Sequence, residues 1–129
     1  MAHFILEYSD NLGETDESVQ QLFAALFDAA ESTGLFPRKG LRGRAYVCNQ
    51  YRMADGNPEH TFAHLEIKLG VGRSLEERKS AADVLFAVYN KHFEDHFASH
   101  GMALSFEMKE LEPVTKFNKN NIADYISAD

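Results

Sequence analysis

Near the start of the chain, apolar and polar residues alternate in HFILEY, with Phe4, Leu6 and Tyr8 on one side and His3, Ile5 and Glu7 on the other. A period of two marks a half-buried strand. DNLGETDES then breaks the alternation, and Asp16 stands at the position of a helix cap. Val19, Leu22, Phe23, Leu26, Phe27 and Ala30 follow at the three- and four-residue spacing of one helical face. Gly34 and Pro37 end that helix, and LRGRAYVCNQYRMA reads as a second strand closed by the turn signal DGNPEH.

The pattern then repeats. TFAHLEIKLG alternates as a strand, with Ala63, Leu65, Ile67 and Leu69 on its drier side. GVGRSLEER turns into a helix, because Ser74 and Glu77 have the spacing of a capping box. Ala82, Leu85, Phe86, Tyr89 and Phe93 form its apolar stripe, Gly101 ends it, and MALSFEMKEL is a fourth strand. The order β-α-β-β-α-β predicts an α/β (α+β) domain: a tandem β-α-β repeat with a four-stranded mixed sheet and two helices on one face. Its halves cover about 1–56 and 57–112, followed by a tail over 113–129. On the uncovered face, Ile5, Tyr46 and Cys48 stand among Glu7, Arg42, Arg44, Arg52, Glu66, Lys68 and Glu107. That mixture predicts a homo-oligomer in which sheet faces meet. In the tail, Ile122, Tyr125 and Ile126 lie on a short amphipathic turn suited to clip onto a neighbour.

Composition narrows the partners. The chain has 129 residues, 44% of them hydrophobic, enough for one real core. Its 13 basic and 20 acidic residues give a net charge of −7, which repels nucleic acid and anionic membrane. An anionic small molecule would need arginines set locally against that field. Cys48 is the single cysteine, so no intrachain disulfide forms and a reducing compartment is expected. No signal-peptide pattern and no apolar run of membrane-spanning length is present, so a cytoplasmic location is the expectation.

Few side chains stand out as chemical candidates. His92, His96 and His100 share a face if their helix is continuous, and an i, i+4 pair can chelate zinc. No HExxH pattern accompanies them, and surface imidazoles beside Phe93 and Phe97 are the plainer reading. His60 and His64, on one parity at a strand start, offer less. Cys48 has no helix N-terminus or histidine fixed beside it and reads as a buried structural thiol. Gly70-Val71-Gly72 lacks the rest of a phosphate loop. Arg73 sits between Gly72 and the capping Ser74, where a guanidinium and a helix N-terminus both favour an anion. Arg42 and Arg44 flank Gly43 at the second strand. For all three arginines, ion pairs within an interface are the alternative.

HFILEYSDN, TGLFP, RMADG, GRSLEER, ALSFEMKEL and FNKNN occur in this order over nearly the whole chain. Together they resemble the 5-carboxymethyl-2-hydroxymuconate Δ-isomerases of the tautomerase superfamily. From HLEIKLGVGRS onward the second half is also similar to the shorter 4-oxalocrotonate tautomerase subunit. The resemblance implies a homotrimer without metal or cofactor that moves a double bond in a small unsaturated keto/enol diacid from aromatic-acid breakdown. It also implies that an N-terminal proline amine shuttles the proton while arginines hold the carboxylates and polarise the carbonyl. By position, Arg73 and Arg42 match the substrate-binding arginines. The proline's place, directly before HFILEYS, is held by Ala2. Removal of Met1 would give Ala2 a primary α-amine, which titrates near ~7.7–8.0 and is lowered by nearby arginines. Retention of Met1 would leave the Ala2 nitrogen an amide and move the amine by ~3.5 Å. A non-catalytic trimeric relative that binds small carboxylates is the alternative implied by the missing proline.

Overall fold

The computed structural model of the chain describes residues 1–126. Four strands, β1 (Ala2–Ser9), β2 (Leu41–Cys48), β3 (Thr61–Leu69) and β4 (Met102–Glu110), form one mixed sheet in the order β2-β1-β3-β4. β1 runs parallel to β2 and antiparallel to β3, and β3 runs parallel to β4. Helix α1 (Asp16–Ser32) joins β1 to β2, while α2 (Leu75–His92) and the short α3 (Glu94–Ser99) join β3 to β4. The two long helices share one core with the sheet, in which Phe4, Leu6, Leu65 and Ile67 meet Leu22, Leu26, Leu85 and Tyr89. This is the α+β layering that the alternating patterns predict.

Strand parity follows the sequence. Ala2, Phe4, Leu6 and Tyr8 of β1 and Ala63, Leu65, Ile67 and Leu69 of β3 are buried, whereas His3, Ile5, Glu66 and Lys68 are only half-buried. Gly43 of β2 answers to a close approach: a Cβ there would lie 2.7 Å from the Phe23 ring, so glycine lets α1 settle onto the sheet.

Several local expectations need correction. Thr15, not Asp16, caps α1: its hydroxyl accepts from the Ser18 N–H at 3.1 Å, and Ser18 Oγ accepts from the Thr15 N–H at 2.8 Å. Asp16 is the first helical residue, where its charge opposes the positive end of the helix dipole. In α2 the buried face is Ala81, Leu85 and Tyr89; Ala82 is half-buried and Phe86 is 39% exposed. A helix-breaking geometry at Phe93 (φ −104°, ψ 7°) separates α3 from α2. β2 ends at Cys48 because β1 ends opposite it at Ser9 and turns into a 3-10 turn at Asp10–Leu12. Beyond that point no strand is left to pair with. Arg52 therefore lies in a loop, donating to the Asp55 carbonyl at 3.4 Å, and not on the sheet face. Cys48 is half-buried, since it stands on the uncovered face of the edge strand β2. No helix among the described residues is long and apolar enough to cross a membrane.

Candidate active site

Antiparallel pairing sets the start of β1 against the end of β3, and so against the turn that enters α2. Ala2 pairs with Leu41 on one side and Leu69 on the other and is 2% exposed. The α-amine, here borne by Met1, stands one residue further out. Gly40 is needed for this close packing: a Cβ there would lie 3.3 Å from Met1 Cα and 3.5 Å from the amine nitrogen. Met1, Ala2, Phe36, Leu41, Leu69 and Arg73 line a narrow crevice beneath the amine. A cavity of about 210 Å³ adjoins it, walled by Met1, Pro37, Lys39, Gly40, Asn118, Asn120 and Ala123.

Cations gather at this end. Arg73 Nη2 donates to the Leu35 carbonyl at 2.7 Å and Nη1 to the Gly70 carbonyl at 3.2 Å. These bonds fix the guanidinium without neutralising it. Arg42 lies beside His3 on the uncovered face, in a row continued by Lys68 and Lys109. Arg44, by contrast, is engaged: its Nη1 donates to His3 Nδ1 at 3.2 Å, which requires that nitrogen to be unprotonated. Burial, then Arg42, Arg44, Lys68 and the amine hold His3 below its usual value, in agreement with that hydrogen bond. Burial first, then Arg73, Lys116 and Arg42 hold the Met1 α-amine below its ordinary 8.0. The neutral, proton-accepting amine therefore persists to lower pH than in a free peptide.

Of the residues singled out in the sequence, Ala2 and Arg73 line one crevice, and the charge of Arg42 reaches the same amine. Lys116 is the cation that sequence reasoning missed. It arrives because the tail folds back: the Leu111 N–H donates to the Leu69 carbonyl at 2.8 Å, and Asn120 Nδ2 donates to the Lys39 carbonyl at 3.0 Å. A lysine in the stretch PVTKFNKNN gives no pattern that announces such a return.

The remaining candidates are structural. His92 Nε2 meets Glu14 Oε1 at 2.6 Å, tying the end of α2 to the loop before α1, so it is not a free surface imidazole. His96 meets the Thr61 hydroxyl at 3.0 Å and stacks on His100 at 4.2 Å. The break at Phe93 separates His92 from His96 and His100, so the three do not share one continuous helical face. His64, Glu66 and Glu107 offer donor atoms within 4.8 Å of one another, yet Glu66 already takes Lys68 at 3.4 Å and Lys109 at 3.1 Å. A larger hollow of about 380 Å³ lies between Thr33, Leu35 and the first turns of α2. Its charged lining is Glu76 and Glu77, which disfavours an acidic ligand there.

Comparison with known proteins agrees with this architecture. A sequence profile described as 5-carboxymethyl-2-hydroxymuconate isomerase matches residues 2–126. The chain is 40% identical over 122 residues to the 5-carboxymethyl-2-hydroxymuconate Delta-isomerase of Escherichia coli, covering 95% of this chain and 96% of that one. A crystal structure of a 5-carboxymethyl-2-hydroxymuconate isomerase from Deinococcus radiodurans R1 superposes with a TM-score of 0.83 at 40% identity, over 98% of this chain and 95% of the other. A fused 4-OT symmetric trimer, 16% identical over 92% of each chain, shares the fold with a TM-score of 0.70. With the profile spanning the described chain and two relatives at this identity, the chain belongs to the 5-carboxymethyl-2-hydroxymuconate isomerase family.

Proposed function

We propose that the protein isomerises a small unsaturated keto/enol dicarboxylate of the 5-carboxymethyl-2-hydroxymuconate type in aromatic-acid breakdown, with the α-amine at the start of β1 as the proton carrier. The observation that supports this reading is the amine's setting: half-buried, flanked by Arg73, Lys116 and Arg42, and held below its ordinary pKa. In its neutral form it removes a proton from the substrate. The electron pair passes into a dienolate whose oxygen faces a guanidinium, and the ammonium returns the proton to a more distant carbon. One C–H or O–H bond breaks, one C–H bond forms, and the double bond moves with no net change in atoms or electrons. Arg42 and Arg73 hold the carboxylates and polarise the carbonyl.

Removal of Met1 would place the amine on Ala2, at the sheet itself and in the crevice that Arg73 lines. Mass spectrometry of the natively expressed protein, paired with an enol-to-ketone absorbance assay, tests this assignment. The expected result is a chain starting at Ala2 with measurable proton transfer; an intact Met1 together with no exchange overturns it. Nothing observed favours the alternative of a binding module without turnover.

The same reading makes the enzyme a cytoplasmic homotrimer. The half-apolar sheet face, with Ile5 and Cys48 half-buried and Tyr46 exposed, suits contact between copies, and the tail's Ile122, Tyr125 and Ile126 remain exposed to clip onto a neighbour. Sedimentation of the purified protein should give a particle of three chains, and a monomer at micromolar concentration would count against it.

A further inference from the structure

Two cationic poles flank β1 at its start. Arg42 belongs to β2, on one side; Arg73 and Lys116 stand beside Gly70, just past the end of β3, on the other. Nζ of Lys116 and Nη1 of Arg73 lie 3.7 and 3.9 Å from the point where a Cβ on Gly70 would sit, so the two cations converge on one position at the end of β3. Arg73 spends two donors on the Leu35 and Gly70 carbonyls. Lys116 spends none on a carboxylate: among the described residues it has no ion-pair partner. The tail that carries it is pinned on both sides, through Leu111 to β3 and through Asn120 to Lys39, so the ammonium is delivered to this corner and does not sweep freely.

From this placement we infer that Lys116 is a carboxylate-recognising residue and that the tail makes the site prefer a ligand with two carboxylates over one with a single carboxylate. The two poles sit on strands two spacings apart, about 9–10 Å, a span across which a short-chain diacid reaches from Arg42 towards Arg73 and Lys116 while its centre passes the amine. A monoacid satisfies one pole and leaves the other without a counter-charge. This inference rests on the proposed substrate class, and it assigns the second carboxylate to a named residue of the tail.

The test is calorimetric titration of adipate and hexanoate into the full-length wild-type protein and into K116A and K116R at low ionic strength. Wild type should bind adipate at least about tenfold more tightly than hexanoate, since one further charge-assisted contact is formed. K116A should lose about 5–10-fold for adipate and less than about twofold for hexanoate. K116R should recover most of the difference. Equal losses for both acids, no loss for either, or no discrimination by the wild type would overturn the assignment. K116Q, melted alongside, separates a folding defect from a lost contact. Since calorimetry reads binding alone, a wild type that discriminates the acids but fails to isomerise an enol diacid would overturn the catalytic reading and leave the Lys116 assignment standing.

Discussion

The two ends of the sheet are built alike and charged oppositely. Each half contributes a strand start that meets the other half's strand-to-helix turn: Ala2 meets the turn carrying Arg73, and Thr61 meets the turn carrying Asp10 and Glu14. At the Thr61 end three acids are satisfied within the protein. Glu14 pairs with His92 at 2.6 Å, Asp55 with His60 at 2.8 Å, and Asp10 accepts from Tyr51 at 3.2 Å. At the Ala2 end the one nearby acid of β4, Glu110, is taken by Arg78 at 3.9 Å, while Arg42, Arg73 and Lys116 have no carboxylate partner among the described residues. One topology thus yields a closed charge cluster at one end and an open one at the other. Uncompensated charge beside a half-buried amine is what an anionic substrate needs, whereas compensated charge only holds loops in place.

The contrast is sharpest at Arg73. R73A should lower kcat/KM by roughly 10²–10³-fold through lost carboxylate and enolate contacts. It should also lower stability by about 1–2 kcal/mol, because the Leu35 and Gly70 carbonyls lose their donor. A steady-state absorbance assay and a denaturant melt read the two effects separately. Next comes pH. An amine works as a base only when neutral, and burial with the Arg73, Lys116 and Arg42 charges holds the α-amine at this place, on Met1, below 8.0. The rate should therefore be full above that value and fall as pH drops through the lowered pKa; a pH–rate profile with no acidic limb would break the comparison. Ala2→Pro, with Met1 removed, should raise kcat by up to about tenfold, as the ring fixes the amine's direction. Turnover by the purified variant checks this, and a fall would mean that the strand start cannot accept the ring.

At the opposite end, H92A should leave kcat unchanged and cost about 1–2 kcal/mol of stability, since Glu14 then stays half-buried without its partner. Loss of turnover in that variant would erase the distinction between the ends. Y89F, in the core between them, should have the smallest effect and the opposite sign. The Tyr89 hydroxyl is buried without a partner among the described residues, so its removal should stabilise by about 0.5–1 kcal/mol in a thermal melt. Burial pushes that hydroxyl far above its usual 10.0. A raised acid leaves stability intact below 10.0 and erodes it as pH rises further, so the variant should gain most on the alkaline side.

The elements were legible wherever burial follows a fixed period. In β1 and β3 both the strands and their inward faces could be read, because the helices cover one side along the whole length. The Ser74–Glu77 cap and Arg73 beside it were readable for a local reason: five consecutive residues settle the geometry. Elsewhere the decisive partner lies far along the chain. β2 ends at Cys48 because β1 ends opposite it, which no feature of CNQYR reveals. Thr15 and Asp16 are both good caps, and the choice went to the residue with Ser18 three positions on. The shift from Ala82 to Ala81 is a single-residue rotation of α2, set by contacts with β3 and β4 that periodicity leaves open. Lys116 was not legible because its place beside the amine depends on the route of the tail, fixed by one backbone bond at Leu111 and one amide at Asn120.

Arg73's grip on the Leu35 carbonyl has a dynamic corollary. The segment after α1 belongs to the first repeat and the guanidinium to the second, so the docking of that segment and the aim of the cation are a single event. A fluctuation that frays residues 33–37 while the sheet stays intact would disarm the molecule long before it melts. Amide exchange at Leu35 and Phe36 then becomes a direct gauge of the fraction of time the guanidinium is held in this aim.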